Sequence, residues 1–539
     1  MDYFKRYSAL YGSILATLLF LWLGFCESPW WHLGTLIMGG FAVLGIFDVV
    51  QPRHTLLRNY PILAHFRWMF EHLRPYLRQY IVESNLEGRP FNEVERGLIY
   101  ARAKGDEDYH PLGTELDLYS AQSEWITHSM KPAKVIKDDL RVLVGNEQCK
   151  KPYSASLLNI SAMSFGALGA HAIEALNMGA KRGNFYHDTG EGAISPYHLK
   201  HGGDLVWELG TGYFGCRDKN GNFDKAQFRD KALANSVKMV EIKLNQGAKP
   251  GHGGVLPAAK ITPEIAMTRG ISMEEDCVSP SYHTAFSTPV ELLEFAAHLR
   301  ELSDGKPVGI KFCVGQPHEI FAIIKAMLKT GIILDYMVVD GAEGGTGAAP
   351  LEFSDHMGMP LREGLILVRN ALVGSNLRDK VRIAASGKVS SAFTIASNCA
   401  IGADWCNAAR AFMFALGCIM SMKCHTNRCP TGITTQDPSR QKGLVVPQKA
   451  LRVDRFHART IHTLKELIAA AGLEHTEDLK PTHFYHRISA VEAKTIDHIY
   501  TFLKPGSLLE GDLNKTYTRW WESAQADSFE PLNHNNHSR

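Results

Sequence analysis

The feature that most limits this chain is an alternation that begins near residue 155. Short apolar runs end in glycine-rich turns and helical patterns follow them, over about 280 residues. Strand candidates are residues 156–163, 239–244, 308–314, 336–339, 381–385 and 405–408. Stretches with helical spacing, such as 289–302, 318–329 and 391–399, lie between them. Alternation of this length points to a parallel sheet with crossover helices. Polar motifs sit directly after several strands, where a barrel places its active site. The pattern therefore predicts an α/β fold of the (β/α)8 TIM type rather than a doubly wound sheet. No G-x-G-x-x-G opens a helix after the first strand, which removes the main support for a dinucleotide-binding domain.

The N-terminus follows a different rule. Residues 7–26 and 28–47 are each 20 residues long and hold no Asp, Glu, Lys or Arg. A membrane-spanning helix needs about 20 apolar residues. Glu27 separates the two runs, beside Pro29, Trp30 and Trp31. Proline breaks a helix and tryptophan favours the membrane–water interface, so the sequence predicts a helical hairpin across a membrane. Lys5 and Arg6 precede the pair, and Arg53, Arg58, Arg67, Arg74 and Arg78 follow it. The positive-inside rule then puts both ends, and the barrel, in the cytoplasm. A cleaved signal peptide is disfavoured because the first run is long, lacks an A-x-A site and leads into a second run. A buried helical pair is the remaining alternative.

The expected organisation is a transmembrane hairpin over 1–50 and a linking helical region over 51–150. Residues 67–81 in that region have helical spacing interrupted by Pro75. The barrel is expected over 151–445. A mainly helical region follows over 446–539, with helices at 460–471 and 491–502 and a polar tail. Composition narrows the function. Lys plus Arg number 58 and Asp plus Glu 56, a formal charge of +2 that gives no electrostatic case for nucleic acid as a partner. Charged residues at 21% and hydrophobic ones at 45% exclude a disordered chain. Ten cysteines in a chain of 539 residues do not make a disulfide scaffold.

Four motifs carry chemistry. The glycine turns Asp340-Gly-Ala-Glu-Gly-Gly-Thr-Gly347, Ala385-Ser-Gly-Lys388 and Asn407-Ala-Ala-Arg410 each follow a strand candidate. Singly, each reads as an ordinary strand–helix turn. Together they lie where a barrel binds phosphate, on the loops after its last strands, with Ser386, Gly387, Lys388 and Arg410 at hand. The second motif is Gln246-Gly-Ala-Lys-Pro-Gly-His-Gly-Gly254, with Lys243 on the preceding strand. Gln246, Lys243 and Lys249 can hold a carboxylate or a flavin edge, or form a solvated surface loop. The third, Thr189-Gly-Glu-Gly192, leaves Glu191 little cover, either to face a cleft and an ammonium or imine group, or to stand in water as a turn residue. The fourth is Cys418-x5-Cys424-x4-Cys429-Pro430. Three thiolates suit a three-iron cluster, or a four-iron cluster with an open corner, better than zinc, which wants four ligands. Cys399 and Cys406 read as core residues, and His425 as a neighbour of the ligands.

These stretches, with Ile160-Ser-Ala-Met-Ser-Phe-Gly166, resemble the FMN and iron–sulfur domain of glutamate synthase over about residues 155–440. The whole chain is similar to short, membrane-tethered members that lack the glutaminase domain. The resemblance implies an FMN-binding barrel beside a three-iron, four-sulfur cluster. It implies an oxidoreductase that reduces 2-iminoglutarate, made from 2-oxoglutarate and ammonia, to L-glutamate. It also assigns residues. Cys418, Cys424 and Cys429 would ligate the cluster. Met163, Ser164, Gln246, Lys311, Gly344, Gly345, Thr346, Ser386, Gly387 and Arg410 would surround FMN. Glu191, Lys243, Lys249 and Arg269 would face substrate, and the planar fork of Arg269 suits a carboxylate. The family's S-P-P-P-H-H-D reads Ser279-Pro-Ser-Tyr-His-Thr-Ala285 here, and its G-E-G-G reads Gly190-Glu-Gly-Ala193. No counterpart of the family's glutaminase domain or C-terminal β-helix is expected, so nitrogen comes as ammonium, as an amine or from another subunit. An amine-exchanging N-methylglutamate synthase and a membrane-docked electron-transfer module are the rival readings. The electron donor is left as ferredoxin, a flavoprotein or a quinone-linked partner.

Overall fold

The computed structural model describes residues 5–511 and 515–532, in two compact units, Met1–Glu93 and Val94–Arg539. In the first unit, helices Ser8–Cys26 and Trp31–Val50 are both long and apolar enough to cross a membrane. At 1.5 Å per residue each spans about 30 Å, the thickness of a hydrocarbon core. Only 17% of each apolar window is buried in the protein, so these are not helices of a soluble core. They run antiparallel: Phe20 stacks on Trp31, with ring centroids 5.5 Å apart, and Leu10 lies beside Gly45. A Cβ on Gly45 would fall 2.8 Å from Leu10, so glycine sets how closely the helices approach. The chain after them is helical in part, through Glu93–Lys104, and then carries the strands Glu124–Ile126 and Arg141–Val144; Pro75 does not interrupt its helix. The helix Ala64–Leu77 runs through Pro75 and widens into a π turn over Arg78–Val82.

In the second unit eight parallel strands close into a barrel. They are β1 (Leu158–Ile160), β2 (His187–Asp188), β3 (Leu205–Leu209), β4 (Val237–Lys243), β5 (Val308–Phe312), β6 (Tyr336–Asp340), β7 (Arg382–Ser386) and β8 (Trp405–Ala408). Each strand pairs with the next in sequence, and β8 closes on β1 through Cys406 opposite Leu158 and Ala408 opposite Ile160. Strands β3 and β5 are buried at every residue, as parallel strands covered by helices outside and side chains inside must be. This is the predicted TIM-type barrel.

Two of its strands were not legible. β2 has two residues, too few for any period, and β3 reads Leu-Val-Trp-Glu-Leu, a run broken by a charge. Two departures from a plain barrel position the site. The connection from β4 to β5 is long and carries a ribbon, Val255–Leu256 with Cys277–Val278, and the helix Pro263–Arg269 between its strands. After β8, the helix Arg410–Leu416 leads into the cysteine segment. The helix Val446–Ala470 then packs on Ala170–Gly183, where a Cβ on Gly179 would strike Val453 at 2.5 Å. Residues 491–502, expected as helix, form strand Glu492–Thr495 and only one short turn, Ile496–Ile499. Strand Glu492–Thr495 pairs with Phe484–Ser489, and that tertiary pairing overrides local spacing. The last residues of the expected polar tail lie outside the described residues.

Candidate functional site

The C-terminal ends of the barrel strands hold a cleft lined by Glu191, Thr211, Lys243, Gln246, His252 and Ser281 among others. After β2 the chain turns at Gly190, with φ +64, a conformation that favours glycine. Glu191 then enters a slot built by the absence of side chains. A Cβ on Gly254 would lie 2.0 Å from its Oε1, and one on Gly210 2.7 Å from its Oε2. Oε1 meets Lys243 Nζ at 3.1 Å, and Oε2 accepts a hydrogen bond from Ser279 Oγ at 3.3 Å. Burial alone would raise the Glu191 pKa, but the Lys243 ammonium outweighs it and holds the carboxyl below its usual range.

Lys243 ends β4, donates to Gln246 Oε1 at 3.3 Å, and lies 3.7 Å from Glu208 Oε1. Glu208 Oε2 in turn accepts from Lys311 Nζ at 2.6 Å. The result is a chain of alternating charge, Glu191–Lys243–Glu208–Lys311, running from the cleft into the barrel. Lys249 is 1% exposed and donates to Ala348 O at 3.2 Å. Burial lowers its pKa to about 8, while Glu191 pulls it back up. Arg269 approaches from behind Glu191. It donates to Ser164 Oγ at 3.1 Å and Phe165 O at 3.0 Å, and its guanidinium lies 5.4 Å from the Phe214 ring centroid. Its buried Nε has no protein partner among the described residues. Three cations thus surround one carboxylate at the cleft, a surplus that suits an acidic ligand.

The glycine loops converge beside this cleft. Asp340, ending β6, accepts from Gly247 N at 2.7 Å and from Ser386 Oγ at 2.8 Å, tying together the loops after β4, β6 and β7. A Cβ on Gly344 would lie 3.1 Å from Ala248 N, and one on Gly345 2.9 Å from Arg410 Nη1. Arg410 also donates to Glu343 O, and Thr346 stands exposed in the same loop. Gly387 and Lys388 both have positive φ, +146 and +50, so two successive backbone units turn out of the strand path. Met163 is buried next to Ser164 after β1, where Gly190 packs against both. The structure thus gathers Met163, Ser164, Gln246, Lys311, Gly344, Gly345, Ser386, Gly387 and Arg410 at one end of the barrel. Lys388 belongs to the loop, but its Nζ pairs with Glu95 at 3.2 Å.

The three cysteines lie in one segment after β8, all as free thiols. Among the described residues their sulfurs do not converge on one point, as ligands of a single ion would. Each is near enough to the others for charge to act between them. Burial works against ionising Cys429, but hydrogen bonds from Thr431 and Thr434 prevail and lower its pKa. The segment abuts the glycine-rich loop after β6: a Cβ on Gly347 would lie 3.1 Å from Cys424 Cβ.

Sequence reasoning missed the interior carboxyls. Asp188, Glu208 and Glu241 are each 1% exposed, with carboxylate oxygens within 4.8 Å of one another. Burial, then the charge of Glu208, raises Asp188 to about 7. Burial, then Asp188, raises Glu241 well above the usual range. Lys311 goes the other way: burial would lower it, but Glu208 and the other carboxyls raise it. The available signal was an acid inside an apolar strand, as in Val237–Lys243, where burial demands a partner.

Residues 110–474 match the family described as the conserved region in glutamate synthase. A glutamate synthase large subunit-like protein, YerD, of Bacillus subtilis is 35% identical over 85% of this chain and 95% of its own length. An archaeal-type glutamate synthase (NADPH) of Thermotoga neapolitana is 31% identical over 78% of this chain and 81% of its own. The archaeal glutamate synthase (NADPH) of Archaeoglobus fulgidus is 33% identical over 59% of this chain and 60% of its own. A solved lactate oxidase of Pediococcus acidilactici shares 13% identity with a TM-score of 0.42, too remote to add to the reading.

Proposed function

The chain belongs to the glutamate synthase family of oxidoreductases, which act on CH–NH2 donors, and from that premise we propose that it makes L-glutamate from 2-oxoglutarate and ammonium. The observation that carries the substrate is the charge beside the cleft: Lys243, Lys249 and Arg269 all act on Glu191, and the other carboxylate next to Lys243, Glu208, is shared with Lys311. A 2-oxo dicarboxylate balances that surplus, and the flexible ammonium groups and the planar guanidinium can share its two carboxylates.

FMN fits the strand ends. Gly344, Gly345 and Gly387 leave a cradle that side chains would fill, and Arg410 lies against it. Backbone N–H groups of such turns, with Arg410, would hold the phosphate. Gln246, Lys311, Met163 and Ser164 would border the ring. Bound FMN would supply a hydride for the imine carbon. Cys418, Cys424 and Cys429 have the donor chemistry to hold an iron–sulfur cluster, three-iron, four-sulfur by family likeness, which would supply one-electron chemistry. That donor is ferredoxin, a flavoprotein or a quinone-linked partner.

The chain's own residues then have defined tasks. Lys243 and Lys249 hold the substrate carboxylates and fix the face presented for reduction. Glu191, kept ionised, accepts hydrogen bonds from the ammonium or iminium nitrogen and orients it. Condensation releases one water, and the glycine slot fixes the Glu191 carboxylate beside the cleft. The two N-terminal helices anchor the protein in the membrane, with the barrel on the cytoplasmic side by the positive-inside rule.

The test is anaerobic stopped-flow of the dithionite-reduced, purified protein. Mixing with 2-oxoglutarate plus ammonium is expected to reoxidise the flavin rapidly and yield glutamate. The altered stretch, Ser281, Tyr282, Thr284 and Ala285, of which Ser281 lines the cleft, makes methylamine the informative second arm. N-methylglutamate in its place would favour amine exchange, and reoxidation with neither mixture would overturn the substrate assignment.

A further inference from the structure

Lys260 closes the short turn Ala258–Lys260 in the insertion after β4 and is only 3% exposed. Its Nζ donates to Ala167 O at 2.7 Å and to Cys424 O at 3.3 Å. Ala167 continues the β1 loop that carries Met163 and Ser164; Cys424 is the middle cysteine. The seam is stitched on both sides. Asn427 Nδ2 donates to Ala259 O at 3.2 Å, and Gln436 Nε2 donates to Gly166 O and Leu168 O, both at 2.9 Å. The ammonium therefore sits where the flavin-side loop and the cysteine segment are joined.

A buried ammonium is costly without an anion. Among the described residues Lys260 forms no ion pair with a carboxylate. The groups whose charge favours it are Cys424 and Cys429, and the other charge acting on it is the like-signed Arg269. Of its three N–H donors, backbone carbonyls take two. The negative partner that this lysine is built for is the sulfur centre itself.

We propose that Lys260 is a positioning residue for electron transfer, whose positive charge stabilises the reduced, more negative state of the cysteine-bound cluster and so raises its potential. This rests on the iron–sulfur reading above. The step concerned is one-electron reduction of a cluster iron by the external donor, followed by reoxidation by the flavin. Lys260 gives up no proton and forms no bond in it.

The test is a potentiometric titration of the purified full-length holoenzyme, followed by the cluster's EPR signal, with iron and sulfide content measured in parallel. Lys260→Met is expected to lower the cluster midpoint, with a several-fold smaller reduced-to-oxidised ratio at the parent's midpoint. Lys260→Arg should keep the parent value. Lys260→Gln separates charge from scaffold, because it keeps N–H donors for Ala167 and Cys424. It should lower the midpoint as Met does. A Gln variant with full cluster content and the parent's midpoint would show that the lysine acts only through its hydrogen bonds, and the proposal would fall. Parent protein with no cluster signal would instead remove the iron–sulfur reading, and the proposal with it.

Discussion

At Glu208 one carboxylate serves two lysines, and nothing in its local sequence announces the role. It sits in a strand that the periodicity did not reveal, facing Lys243 from a neighbouring strand and Lys311 from one further round the barrel. Glu208→Gln would leave two buried ammonium groups short of a counter-charge, a loss of about 3–5 kcal/mol when one partner of a buried pair is removed. We expect weaker FMN retention, measured by flavin fluorescence, together with a raised KM for the oxo acid. Parent values for both would refute the charge chain. The cysteine reading draws on the opposite kind of signal: it rests on spacing within twelve residues, with no need of the fold. Lys249 gives a pH signature. Its ammonium is present below about 8 and is lost as pH rises through that value, so kcat/KM for the oxo acid should fall on the alkaline side. Lys249→Arg, charged throughout, should move that limb to higher pH. A profile identical in both proteins would take Lys249 out of substrate binding.

Elements were legible where length and turn chemistry agreed. The helix Pro289–Leu302 matches its predicted bounds because Thr288 and Glu291 form a capping box ahead of an apolar stripe. β2 escaped because two residues carry no period, and the strand Glu492–Thr495 because its partner is the strand before it rather than its own pattern. Loop-to-loop packing was equally invisible. A Cβ on Gly247 would lie 1.8 Å from Gly341 O, so the loops after β4 and β6 touch backbone to backbone. Gly247→Ala is expected to force them apart, weakening flavin binding at least tenfold; unchanged binding in a titration would mean that the loops give way cheaply. The N-terminal helices make the other element-scale prediction. A chain without residues 1–50 should fractionate as a soluble protein that keeps its flavin, and recovery in the membrane pellet would count against the hairpin as sole anchor.

Over the whole molecule, the barrel carries carboxyls whose pKa burial raises. Asp188 has a folded pKa of about 7 against an ordinary 3.8. Between those values the folded state binds more protons than the unfolded chain, so this group's contribution to stability is greatest near the acid end and is lost as pH rises toward 7. Asp188→Asn should flatten the melting temperature against pH in that window relative to the parent. Parallel curves for the two proteins, from scanning fluorimetry, would show that Asp188 keeps an ordinary pKa.

The closure of β8 on β1 has a consequence for biogenesis. The ribosome delivers Met163 and Ser164 early, but the cysteine segment that packs against their loop emerges only after the last strand. A nascent chain can therefore fold most of the barrel before Cys418, Cys424 and Cys429 are available. The cluster proposed above would be loaded only into chains whose synthesis has run past the last strand of the barrel.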